Sequence, residues 1–166
     1  MNGQEAIDFL GRHQPMPPDE ELTDELIGQF DEARRALALD PQGGGVRLLL
    51  NAIGRGSGFG VYQLVDDTLR AYDPDNVVQV LAELLATVPD DRSGWLMEYA
   101  LDYPDERLID PVVEALVRGD RDTRFFAASF LVDQFRDVPR VREAVRSARA
   151  REDDPEIVRV LDEAHQ

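Results

Sequence analysis

Residues 104–136 read PDERLIDPVVEALVRGDRDTRFFAASFLVDQFR. Leu108, Ile109, Val112, Val113, Leu116 and Val117 recur at helical spacing, and Phe126, Phe130, Leu131 and Phe135 do the same after the break at Gly119 and Asp120. Two short amphipathic helices folded back on each other account for this pattern. A single hairpin cannot bury both apolar stripes, so the echoes of the unit on either side predict a stack of hairpins, an all-α solenoid.

Working outward, turn signals divide the chain into helical segments, and no stretch alternates with strand period for long. The expected order is a short helix from Gly3 to Arg12, a Pro-rich turn through Pro15, Pro17 and Pro18, and a long helix from Glu20 to Leu39. That long helix starts from Asp19 as its cap and carries Leu22, Leu26, Phe30, Ala33 and Leu37 along one side. Four hairpins follow, pairing 46–53 with 61–72, 75–88 with 92–103, 106–118 with 121–136, and 140–150 with 156–164. Starts at Pro74, Pro104 and Pro139 lie 30 and 35 residues apart, within the periods of helical repeats. The last hairpin is polar, as a terminal cap should be, with Val141, Val145 and Ala148 the apolar contribution of its first helix. Asp40-Pro41, Asp73-Pro74 and Asp154-Pro155 read as helix starts, because Asp caps and Pro suits the first helical position. Asp110-Pro111 falls one turn inside a helix, where a Pro bends the axis. The organisation expected is a single domain over 1–166, with N-terminal helices in 1–40 and hairpins in 41–166.

The 166 residues carry 34 Asp and Glu against 18 basic residues, a formal net charge of -16, and every basic residue is Arg. An acidic surface repels nucleic acid and anionic membrane and speeds encounter with a basic partner. The longest apolar run, from Val77 to Val88, is interrupted by Gln79 and Glu83, and the start MNGQEAIDFLGRH lacks a signal-peptide pattern, so a cytoplasmic protein is expected. Cysteine is absent, which excludes disulfides and thiolate metal sites.

The obvious candidate for chemistry is the loop GRGSGFG at 54–60, since Gly-rich loops before helices cradle phosphates. No Lys-Ser or Lys-Thr follows it and its glycines are not spaced as GxGxxG. Ser57 lacks the glycines of a nucleophile elbow. A flexible inter-helix loop is the expectation. His13 and His165 lie near opposite ends, where chains fray. The pairs Asp66-Asp67, Asp90-Asp91 and Asp153-Asp154 are sequence neighbours, and the latter two suit helix capping better than a metal. No cofactor and no catalytic centre are expected. One basic stretch, RVREAVRSARAR at 140–151, puts Arg142, Arg146 and Arg149 on one helix face. Pairing with the acids at 152–156 and with Glu163 is expected there in preference to nucleic-acid binding, because no aromatic residue interleaves the arginines to stack bases.

The segment from Leu108 to Leu131 resembles a HEAT repeat, on Pro111 in its first helix, Asp120 and Asp122 at its turn, and Arg124, Ala127, Ala128 and Leu131 in its second helix. The resemblance implies a ladder in which turn Asp and second-helix Arg link adjacent repeats. The neighbouring repeat keeps Asp90, Asp91 and Arg92 but puts Trp95 and Met97 where small residues are usual. The whole chain is similar to the small acidic HEAT-like immunity proteins encoded beside bacterial polymorphic toxins, on FDEARRAL from Phe30, LLLNAI from Leu48, VVQVLAELL from Val77 and the hairpin around Trp95. This similarity implies a non-enzymatic protein that neutralises a basic toxin domain by direct binding, as a monomer or weak homodimer. Second helices commonly line the concave face of a solenoid, which makes Tyr62, Asp66, Asp67, Glu98, Asp102 and Asp133 the expected partner-binding positions. A HEAT-like scaffold or adaptor is the alternative, and a HEAT-like enzyme acting on nucleic acid or a protein-bound pigment is a third reading.

Overall fold

A computed structural model describes residues 1–87 and 92–164, so the expected turn at Asp90 and Asp91, and His165, lie outside the described residues. Every regular element among the described residues is helical, as the apolar spacing predicts. Two compact units, Met1–Val80 and Leu81–Gln166, divide the chain.

In the first unit, α1 (Gly3–Arg12) opens with a capping box. The Asn2 side chain accepts from the Glu5 N–H at 2.9 Å, and the Asn2 N–H donates to the Glu5 carboxylate at 2.8 Å. The buried face of α1, with Ala6, Phe9 and Leu10, packs on α2 (Asp24–Leu39) and α3 (Gly45–Ala52). His13 does not fray: its ring lies tilted against that of Phe9, with centroids 4.4 Å apart. The long helix starts later than expected. Asp19–Glu21 forms a lone 3-10 turn, and Thr23 caps α2 by accepting from the Leu26 N–H at 3.2 Å. The reason is that the Asp19 carboxylate is engaged 38 residues further on, at Ser57.

Asp40-Pro41 does not begin a helix either. Asp40 ends α2, and Gly44, at φ +79°, turns the chain into α3. A side chain at Gly45 would overlap the Tyr72 hydroxyl, so this close approach demands glycine. In place of the helix expected over 61–72 stand a 3-10 turn at Tyr62–Leu64 and a short α4 (Val65–Leu69), and a further 3-10 turn at Gly58–Gly60 precedes them. Phe59, at φ +49°, cannot continue a right-handed helix, and the Tyr62 ring lies so close to Gly58 that a Cβ there would stand 2.7 Å from it. Phe30 and Tyr62, both fully buried, meet edge to face with centroids 5.4 Å apart. α5 (Pro74–Leu85) starts where Asp73-Pro74 predicts, with the Asp73 carboxylate accepting from the Asp75 N–H at 2.9 Å.

The second unit holds α6 (Ser93–Ala100), α7 (Ile109–Arg118), α8 (Arg121–Phe135), α9 (Pro139–Arg149) and α10 (Pro155–Glu163). Helix α8 packs against all four others, with α6 and α10 as its neighbours in one row and α7 resting on α9 in the other. This explains why α8 has buried residues around a wide arc: Thr123, Ala127, Ala128, Phe130, Leu131 and Val132. The two small alanines allow close approach of flanking helices. Phe130 is fully buried as expected, whereas Phe126 is only half-buried and packs edge to face on Phe125. Pro111 bends nothing mid-helix. A 3-10 turn at Glu106–Leu108 precedes α7, so Pro111 stands in the first α-helical turn, where its missing N–H costs little.

Candidate functional site

The Gly-rich loop is already occupied by an anion, and the anion belongs to the chain. The Asp19 carboxylate accepts from the Ser57 N–H at 2.8 Å, the Ser57 hydroxyl at 2.9 Å and the Gly58 N–H at 2.9 Å. These are the donors that such a loop would offer a phosphate. Gly56, at φ +95°, passes so close that a Cβ would stand 2.5 Å from the Asp19 carboxylate carbon. Burial pushes the Asp19 carboxyl up, but the three hydrogen bonds from Ser57 and Gly58 outweigh it and hold the group below its ordinary value. The expected flexible loop is therefore a pinned one.

What the pinning presents is Phe59. Its backbone is left-handed, at φ +49° and ψ +35°, and its side chain is 64% exposed. A bulky residue in this region carries strain of order 1–3 kcal/mol. Phe59 borders a shallow groove with Ile27, Gly28, Val61 and Leu64, edged by Asp24 and Asp31. Asp31 is neutralised by Arg34 and Arg35 of its own helix. Arg34 is itself buried, and its carbonyl accepts from the Thr68 hydroxyl at 3.1 Å.

The six positions expected to bind a partner fall out differently. Tyr62 is fully buried in the core beneath the loop, which removes it from any surface. Asp66 is half-buried, and Asp67 is exposed and paired with Arg70 at 3.1 Å, both within α4 of the first unit. In the second unit, Glu98 lies half-buried on α6, Asp102 is exposed just beyond it, and Asp133 is exposed on α8. Burial holds the Glu98 carboxyl above its ordinary value. A contact between the Ser93 and Thr123 hydroxyls, 3.1 Å apart, ties the start of α6 to that of α8.

The arginines expected to need the acids at 152–156 do not take them. Three of those four acids are held from α8: Arg124 Nε donates to Glu152 at 2.9 Å, Arg121 Nε donates to Asp154 at 3.0 Å, and Arg121 also reaches Glu156. Arg149 instead holds Asp162 at 2.6 Å, Arg146 holds Glu143 at 2.7 Å and Arg140 holds Asp110 at 3.1 Å. A link between successive turns thus exists through Arg124, the second-helix arginine of the resemblance, but its acid is Glu152 and not a turn aspartate. Asp120 caps α8 by accepting from the Thr123 N–H at 2.9 Å, and Glu152 of the next turn is the acid that Arg124 finds.

Among the described residues, no cluster of three or more His, Asp or Glu could hold a metal ion, and no helix is long and apolar enough to cross a membrane. Sequence reasoning missed Asp19 as a loop anchor and Phe59 as an exposed aromatic. The only signal for either was the sequence GSGFG itself, where alternating glycines permit positive φ on both sides of the aromatic. No protein-family model matches this chain, and no curated protein or solved structure matches it either.

Proposed function

We propose that this chain is a non-enzymatic protein-binding module, and specifically an immunity protein that neutralises a basic toxin domain by direct contact. The observation that carries this reading is the disposition of charge. Arg146 and Arg149, two of the three arginines on the basic face that could have met nucleic acid, each hold a carboxylate of the same chain, as does Arg140 at the start of that helix. Arg121 and Arg124 are spent on the turn at 152–156. With 34 acids against 18 arginines, internal pairing leaves the surplus on the surface, at positions such as Glu20, Glu21, Asp24 and Asp133. Such a surface draws in a basic protein and repels polyanions.

The two rows of helices in the second unit, and the Arg124–Glu152 link between successive turns, also favour a HEAT-like architecture for this reading. The deciding experiment expresses the protein encoded beside this chain, alone and together with it. Arrest of growth by the neighbour and its relief by this chain are expected. A harmless neighbour that nevertheless binds this chain would favour the scaffold or adaptor reading instead.

A further inference from the structure

We propose that the groove formed by Ile27, Phe59 and Leu64 over Gly28 is the docking site for a cationic, amphipathic segment of a basic protein partner. The inference rests on the protein-binding reading above and adds a place and a chemistry to it.

Three observations meet here. Phe59 is a strained, exposed aromatic that the fold holds outward: Asp19 fixes the two residues before it by three hydrogen bonds, and Phe59 N–H donates to the Ser57 hydroxyl at 3.1 Å. Backbone strain retained under a side chain that stays 64% exposed points to a contact made elsewhere. Aromatic anchors of this kind dominate the energetics of protein interfaces.

Gly28 is the second observation. It sits inside α2, where glycine weakens a helix relative to alanine. A Cβ built on it meets nothing within 4 Å, so no neighbour in the protein requires its absence. The glycine leaves a flat floor between Asp24, Ile27 and Asp31, beside Phe59 and Leu64.

Charge is the third, and it selects the occupant. Residues 19–31 contain Asp19, Glu20, Glu21, Asp24, Glu25 and Asp31 and no basic residue. Asp19 is consumed by the loop and Asp31 by Arg34 and Arg35, while Glu20, Glu21, Asp24 and Glu25 are exposed. The tie from Asp19 to Ser57 brings this acidic segment alongside Phe59. An apolar patch with an acidic rim matches a segment that offers an apolar side chain between Arg or Lys residues.

The test uses the full chain and two synthetic helical peptides, one of Arg and Leu and one of Glu and Leu, with binding followed by fluorescence anisotropy and by backbone amide shifts. Saturable one-to-one binding of the Arg/Leu peptide is expected, with shifts at Ile27, Phe59 and Leu64 and none from the Glu/Leu peptide. Phe59→Ala should weaken it at least tenfold, and Gly28→Leu, which fills the floor from an open position, should do the same while circular dichroism stays unchanged. Equal binding by wild type and both variants, with shifts at Asp102 and Asp133 instead, would overturn this site and leave the protein-binding reading standing. Absence of saturable binding would overturn this site, while the protein-binding reading stands or falls by the co-expression experiment. Concentration-dependent dimerisation abolished by Phe59→Ala would make the occupant a second copy of this chain, which also overturns the proposal.

Discussion

Arg124 and Glu152 join two successive turns of the second unit through paired hydrogen bonds, Nε to one carboxylate oxygen at 2.9 Å and a terminal nitrogen to the other at 3.3 Å. Glu152 also accepts from the backbone N–H groups of Asp153 at 3.2 Å and Asp154 at 3.1 Å, so one carboxylate organises the whole turn before α10. Its side chain is only 7% exposed, which makes each of these bonds harder to replace with water.

Replacing Glu152 with Gln should therefore cost about 1–3 kcal/mol at neutral pH, read from denaturant titration. The sign of the pH dependence follows from the same contacts. The hydrogen bond from Arg124 is the largest influence and holds the Glu152 carboxyl below its ordinary 4.5 against the effect of burial. Its contribution is fully present above that ordinary value and is lost as pH falls through the lower, folded-state value. The acid limb of the stability profile should be shallower in Glu152→Gln than in wild type, and an unchanged limb would contradict this assignment.

Glu98 should behave in the opposite sense. Burial raises its carboxyl, so the folded state holds the proton more tightly than the unfolded chain. The associated stability is present below the unfolded value and is lost as pH rises through the folded one. Glu98→Gln is expected to be more stable than wild type at pH 7, with the difference closing below about pH 4. A variant less stable than wild type at pH 7 would show that the charge is needed.

Phe130→Ala should cost about 3–5 kcal/mol, because Phe130 is fully buried in the helix that packs against α6, α7, α9 and α10. Phe126→Ala should cost clearly less, since Phe126 is half-buried. Equal losses in a denaturant titration would mean that the two rings share the core.

At the Gly-rich loop, Asp19→Ala should cost about 1–2 kcal/mol by leaving the Ser57 and Gly58 donors without their carboxylate. Phe59→Gly should be neutral or stabilising by about 1 kcal/mol, because glycine accepts the left-handed backbone without strain. Amide exchange at Ser57 and Gly58 should accelerate in the first variant and not in the second.

If acidic surface drives association with a basic partner, charge reversal at Asp102 and Asp133 should slow association and reduce its salt dependence without changing the helical spectrum. Removing Arg142, Arg146 and Arg149 should leave protection of a toxin-expressing cell intact. Loss of protection from the arginine variant alone would move the contact surface to α9.

Helical periodicity by itself determined the element order: α1, α3 and α5 through α10 begin and end within a few residues of where the apolar stripes and caps place them. Local rules suffice there because a cap and its helix lie within four residues of each other. They fail where a side chain finds a distant partner. Asp19 reads as the cap of its own helix but closes on a loop 38 residues away, and α2 starts at Asp24 with Thr23 as its cap instead. Tyr62 reads as a surface residue of a continuous helix, yet it falls in a 3-10 turn over Tyr62–Leu64 that precedes the short α4, and its ring packs in the core against Phe30. The acids at 152–156 read as partners for the arginines just before them, but the packing of α8 on α10 brings Arg121 and Arg124 closer. In each case composition and spacing specify which charges and rings exist, and only the packing of helices onto one another decides which pairs come within hydrogen-bonding distance.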